Sequence, residues 1–378
     1  MYRDLSHLDK SELTTLINRY YDGESATRLI AEYDLLVSPS HLYKIFPPEE
    51  FPQYSCEYCN RPLVMDRRSK ASKNIPKYEK DLYCPVCGHY QYREICKCEN
   101  CIAENIKIEA SQRATIQKYY SKQRAHIDFQ ELSFREKVFL GALCRALMEE
   151  NMFEIAPLSK SPMVLAPTPK LESEIYHTLL GADVISVSPN SPLDAFVLDD
   201  DVFPRSVYLT RAVYELNLKF PPNKQELFTE IMNPSYYSPE FSGDALSLWT
   251  QIAVSECIEY LQYQFNRVGF EFSPGEKTYK TFEIILNDFS VSQIYGIIWG
   301  RVAEASKLYL EKGISKQHAA NSVIGACERF AERAKINHWN LKTYSRIRDL
   351  PQSALSAFFF NRVLGIGDMG FDMPPTPL

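Results

Sequence analysis

Cys56-Glu-Tyr-Cys59, Cys84-Pro-Val-Cys87-Gly-His89 and Cys96-Lys-Cys98-Glu-Asn-Cys101 gather seven of the chain's ten cysteines into one segment. Residues 51–105 around them are rich in aromatic and basic side chains but keep no helical or alternating period, so folding there needs more than a hydrophobic core. A C-x2-C pair turns tightly enough for both sulfurs to reach one ion at about 2.3 Å, and two such pairs supply the four thiolates of a tetrahedral Zn²⁺ site. Cys56, Cys59, Cys84 and Cys87 form that set. Cys96, Cys98 and Cys101 add three thiols, and His89 is the nearby imidazole that completes a second set of four. The alternative is one ion with spare thiols and His89 as a knuckle residue bonded to sulfur. Two structural Zn²⁺ ions are the expectation, because catalytic zinc keeps an open position and usually takes His or carboxylate ligands.

Cys84-Pro-Val-Cys87-Gly-His resembles a zinc-ribbon or rubredoxin-type knuckle, in which glycine permits the turn after the second ligand. Length and composition are those of a globular protein: 378 residues, 45% hydrophobic and 24% charged, which suggests two or three domains. Met1 to Lys10 contain no apolar run, and no later stretch approaches the roughly 18 apolar residues of a membrane span. A soluble, cytoplasmic protein with no membrane partner is expected, and clustered cysteines in a reducing compartment favour metal over disulfides. The net charge of −6 excludes a uniformly basic coat. Between Arg61 and Lys80, however, seven basic residues face only Asp66 and Glu79. Arg67, Arg68, Lys70 and Lys73, with Tyr54, Tyr58 and Tyr78 nearby, would contact phosphates; the bland alternative is a solvated loop tip between knuckles.

Ahead of the cysteines, residues 1–50 read as short helices. Ser11 to Tyr21 carries Leu13, Leu16, Ile17 and Tyr20 on one face, and Asp22-Gly23 stops it. A second helix runs from Glu24 to Tyr33. Ser38 and Pro39 then suit the cap and first position of a third, with Leu42, Ile45 and Phe46 at helical spacing before Pro47-Pro48 ends it. The stretch Gly23 to Tyr33 followed by Ser40-His-Leu-Tyr-Lys-Ile-Phe-Pro47 resembles the DNA-binding domain of Hin recombinase and related resolvases, though not their catalytic domain. That resemblance implies a helix-turn-helix in which Ser40, His41 and Lys44 face the major groove or its phosphates, while Leu42, Tyr43 and Phe46 pack inward. A small bundle that docks on protein is the other reading of the same three helices.

A connecting helix is expected over Ala110 to Arg124, within 106–130, and Ser133-Phe-Arg-Glu136 is a capping box opening a long amphipathic helix. Residues 131–240 read as a small α+β region of winged-helix-like type, with a helix at Leu171 to Leu180 and strands at Val184–Val187 and Ala195–Leu198. Residues 241–378 read as helical: Ala245–Phe265, Lys277–Leu286, Ser290–Leu310, Ser315–Ile336 and Ser353–Leu364. The expected class is therefore mainly α, comprising a helix-turn-helix (1–50), a zinc-ribbon-like module (51–105), the α+β region and a helical C-terminal domain.

Nothing after residue 130 matches a phosphate-cradling loop, a nucleophile elbow or a zinc-protease motif. Asp199-Asp200-Asp201 reads as a solvated turn, and Trp299 and Trp339 as core. From Glu131 onward 23 basic residues face 30 acidic ones, a surface suited to protein contacts or self-association. The sequence thus points to a zinc-containing protein binding specific double-stranded DNA, as a regulator of transcription or of a mobile element. A zinc-stabilised interaction module, and a nuclease or other enzyme with its active site in the C-terminal region, are the rivals.

Overall fold

Asp9 accepts hydrogen bonds from the backbone N–H groups of Ser11 and Glu12, and Glu12 accepts one from that of Asp9. This capping box starts α1 (Lys10–Tyr21), which is followed by α2 (Ala26–Glu32). The computed structural model describes residues 5–72, 76, 78–122, 124–234 and 237–377. Helix accounts for 54% of it and strand for 7%, so the chain is mainly helical with small sheets. It divides into two compact units, Met1–Ala114 and Thr115–Leu378.

In the first unit α1 and α2 enclose a core of Leu16, Ile17, Tyr20, Leu29, Leu35, Leu42 and Phe46. Arg19 ties the pair together through Glu24 and Glu32 at 2.7 and 2.6 Å. The third helix expected over residues 38–46 is instead a six-residue 3-10 turn, Pro39–Lys44. Pro39 and Pro47 leave room for only about two α-turns. Ser38 does not cap; its hydroxyl lies 3.0 Å from His41 Nδ1. β1 (Glu49–Ser55) and β2 (Pro62–Met65) follow as an antiparallel hairpin. Val64 also exchanges backbone hydrogen bonds with Tyr83, which brings the second knuckle alongside.

α3 (Glu99–Tyr120) begins at the last cysteine motif, eleven residues before the expected Ala110 start. Its length reflects a run from Cys101 to Lys118 with no glycine or proline to stop it. The boundary between the units falls within it.

In the second unit the capping box of Ser133 with Glu136 starts α4 (Phe134–Leu147), which is apolar nearly all round and correspondingly central. β3 (Glu154–Ile155), α5 (Pro169–Gly181), β4 (Ile185–Val187) and β5 (Tyr214–Leu216) form the α+β portion, with antiparallel strand order β3-β5-β4. Residues 195–198 are not a strand. Leu193–Ala195 is a 3-10 turn, leaving the single bridge Phe196 to Val207. The Asp199 carbonyl accepts from Val202 and Phe203 and its carboxylate from Asp201, so a tight turn closes before a ladder can grow.

α6 (Lys224–Met232), α7 (Ser242–Val268), α8 (Glu276–Ile285), α9 (Val291–Lys312) and α10 (Lys316–Ile336) complete the helical part. α7 packs on α8 and α9, and α9 on α10. The helix expected over 353–364 comprises α11 (Ala354–Phe358), packed on α4, and then a π-helical turn, Phe359–Val363. α12 (Met369–Asp372) follows. Trp299 and Trp339 are not core residues: they are 54% and 45% exposed. Trp299 stands off the buried α9 stripe of Ile294, Ile297, Ile298 and Val302, and Trp339 lies past the end of α10, against Phe330.

Candidate metal centres

Cys56 and Cys59 sit at the tip of the β1–β2 hairpin, and Cys84 and Cys87 on the segment that Tyr83 pairs to β2. The two knuckles repeat one geometry. Cys56 N–H donates to the Arg61 carbonyl and Asn60 N–H to the Cys56 carbonyl; Cys84 N–H donates to His89 and Gly88 N–H to Cys84. The pivot has positive φ in each, 51° at Asn60 and 67° at Gly88, so asparagine does in one knuckle what glycine does in the other. The four sulfurs lie within 4.8 Å of one another. Ligands at about 2.3 Å from a tetrahedral ion stand about 3.8 Å apart, and Cys56 and Cys87 are separated by 3.7 Å.

His89, Cys96, Cys98 and Cys101 make the second cluster, also within 4.8 Å. His89 Nδ1 is 3.2 Å from Cys101 Sγ and 3.7 Å from Cys98 Sγ, close to the roughly 3.5 Å that an imidazole and a thiolate on one zinc would keep. His89 is buried, and its Nε2 lies 2.9 Å from a Glu57 carboxylate oxygen without the alignment of a full hydrogen bond. The Tyr58 ring packs edge-on at 4.9 Å. Glu57 and Tyr58 are the middle residues of the first knuckle, so the first centre orients the imidazole of the second. Nδ1 is left for the metal, and a carboxylate behind a ligating histidine strengthens it as a donor.

Local electrostatics favours ionised sulfur at one position in each cluster. Burial opposes ionisation of Cys84, yet the backbone N–H groups of Cys87 and Val86 hold its thiol below the usual range. Burial likewise opposes ionisation of Cys96, but N–H groups of Tyr90 and Cys98 bring it down to about 6. Burial and neighbouring Cys98 push Cys101 up to about 12. A divalent cation supplies the charge that ionises such remaining thiols. Both donor sets fit a structural ion of the zinc type, four sulfurs in one case and three sulfurs with one nitrogen in the other.

No family model, curated protein or solved structure matches this chain. The assignment of two metal sites therefore stands on the donor sets themselves.

The other predicted site residues are dispersed. Ser40, His41 and Lys44 are all exposed on the 3-10 turn, whereas Leu42 is buried. Arg67, half-buried, donates from Nε to the Pro47 carbonyl. Arg68 is spent within the protein, on the Pro76 carbonyl and, at 3.0 Å, on Asp81. Lys70 Nζ donates to the Gly23 and Glu24 carbonyls at 3.2 and 2.6 Å and lies over the Tyr20 ring. With Tyr21 O–H donating to the Arg68 carbonyl, these contacts fasten the basic loop to α1 and the turn after it. Lys73 lies outside the described residues. No described helix is long and apolar enough to cross a membrane.

Glu57 and Asn60 escaped the sequence reading, which named Tyr58 only as an aromatic near the basic loop. Only Asn60 carried a signal, since asparagine just after a C-x2-C pair is the residue best able to replace glycine at positive φ. In the second unit a cavity of about 580 Å³ is lined by a closed set, Arg135 bonded to Glu174 and Gln251, and Gln251 to Glu174. The perturbed carboxyls Glu256 and Glu259 do not line it.

Proposed function

We propose that this chain is a cytoplasmic, zinc-containing DNA-binding protein whose two Zn²⁺ ions are structural and whose 3-10 turn meets double-stranded DNA. The observation that carries this reading is the joint exposure of Ser40, His41 and Lys44 beside Arg67: Tyr43 of the turn and Arg67 line one cleft. Lys44 and Arg67 supply charge for phosphates, and Ser40 and His41 supply hydrogen bonds for base edges. Arg68 and Lys70 serve by holding the basic loop in place. A helix-turn-helix of the Hin type, with the turn as a shortened reading element, is the geometry this surface serves. Control of transcription or of a mobile element is the role that follows, with the acidic C-terminal unit meeting protein partners or a second copy.

Selection from random duplexes, followed by titration against salt, tests it. Sequence preference and a steep fall of affinity with salt are expected; Lys44→Ala should weaken binding and reduce the salt slope by about 1, and His41→Ala should relax the preference. Absence of salt-dependent binding by the zinc-loaded parent refutes the reading. A protein-docking role then takes its place, favoured by Ile95, Ile102 and Ile106, which stand 77%, 48% and 62% exposed around the second cluster.

A further inference from the structure

The cleft shared by Tyr43 and Arg67 has a volume of about 530 Å³, and it extends beyond the residues given to the duplex. Three more tyrosines, Tyr78, Tyr83 and Tyr90, line it together with Lys80 and Arg93. The Arg93 guanidinium lies 3.6 Å over the Tyr90 ring, held there by a 3.0 Å bond from Nε to the Lys80 carbonyl. Tyr83 stands 5.4 Å from Tyr90, and Lys80 Nζ 5.3 Å from the Tyr78 ring. The two carboxylates of the cleft are engaged: Asp66 accepts from Tyr83 O–H at 2.6 Å and Asp81 from Arg68 at 3.0 Å. Among the described residues Arg67, Lys80 and Arg93 have no ion-pair partner, so the cleft is cationic as well as aromatic.

Aromatic faces interleaved with unpaired cations are what an unstacked strand requires, with bases on the rings and phosphates on the cations. Bases inside a duplex cannot offer their faces. Tyr78, 52% exposed with Lys80 Nζ over its ring, and exposed Arg93 are the two platforms that solvent reaches. We infer that the cleft binds an unpaired DNA strand, and that Tyr43 makes it continuous with the duplex-contacting turn, so the preferred ligand is duplex DNA with a single-stranded extension. The inference rests on the duplex-binding reading above and adds to it the structure of the DNA end.

The test uses the full zinc-loaded chain and three labelled ligands: a blunt duplex, the same duplex with an overhang of about ten thymidines, and that overhang made abasic. The thymidine overhang should tighten binding about tenfold, the scale of one well-stacked base, and the abasic overhang should give back most of the gain. Tyr78→Ala with Arg93→Ala should abolish the difference between tailed and blunt duplex, and Tyr78→Phe should retain it, because the ring face and not the hydroxyl is used. Equal affinity for blunt and thymidine-tailed duplex, or a gain that survives in the abasic ligand or the double variant, overturns the cleft assignment and leaves duplex binding intact. Failure to bind any of the three overturns both. The abasic comparison requires no protein variant, so the answer does not depend on any substitution folding.

Discussion

Glu259 on α7 gives the second unit a pH dependence that a single substitution should remove. The residue is half-buried, one turn from fully buried Glu256. Burial first, and then the Glu256 charge, push its carboxyl up from 4.5 to about 8, with Arg346 acting in the opposite sense. A carboxyl raised by folding holds its proton in the folded state at pH values where the unfolded chain has lost it. Stability therefore falls as pH rises from about 4.5 to 8 and levels above that. At about 1.36 kcal/mol per pH unit the full interval corresponds to at most about 5 kcal/mol. Screening by solvent on its exposed side reduces this to roughly 2 kcal/mol. Glu259→Gln keeps the shape and removes the ionisation. Its melting temperature should match the parent near pH 5 and exceed it by about 4–8 °C at pH 8. Thermal unfolding followed by circular dichroism across that range measures the difference. Parallel curves for parent and variant would mean that folding does not raise the Glu259 carboxyl.

Cys84→Ser should release metal and unfold the hairpin segment, whose own core is only Leu63, Met65 and Leu82 with two cysteines, whereas Cys144→Ser should keep full metal content and cost about 1–2 kcal/mol; metal analysis and urea melts separate them. Glu57→Gln should weaken the second centre about 10–100-fold, read by competition with a chromophoric chelator, and leave the first centre unchanged. Gly141→Ala places a methyl 2.2 Å from the Phe358 ring and should destabilise the second unit by about 1–3 kcal/mol in urea.

Features governed by local chemistry were legible in the sequence. The C-x2-C pairs located the clustered sulfurs, and Ser133 with Glu136 marked a helix start as a capping box. Features set by distant packing were not. The helical spacing of Leu42, Ile45 and Phe46 suits a 3-10 turn as readily as an α-helix when prolines bound it on both sides. The packing of the basic loop was hidden because the partners of Arg67 and Lys70, the carbonyls of Pro47, Gly23 and Glu24, are backbone groups remote in sequence. Glu57 was invisible for a similar reason: its partner His89 lies on the other knuckle.

Metal content per chain bears most directly on the whole account, because both knuckles and the surface they carry depend on it. Elemental analysis of protein purified without added metal should find two zinc ions per chain, one held by Cys56, Cys59, Cys84 and Cys87 and the other by His89, Cys96, Cys98 and Cys101. A folded protein with one ion would remove the second centre and the role given to Glu57, and a folded protein with none would remove both metal sites.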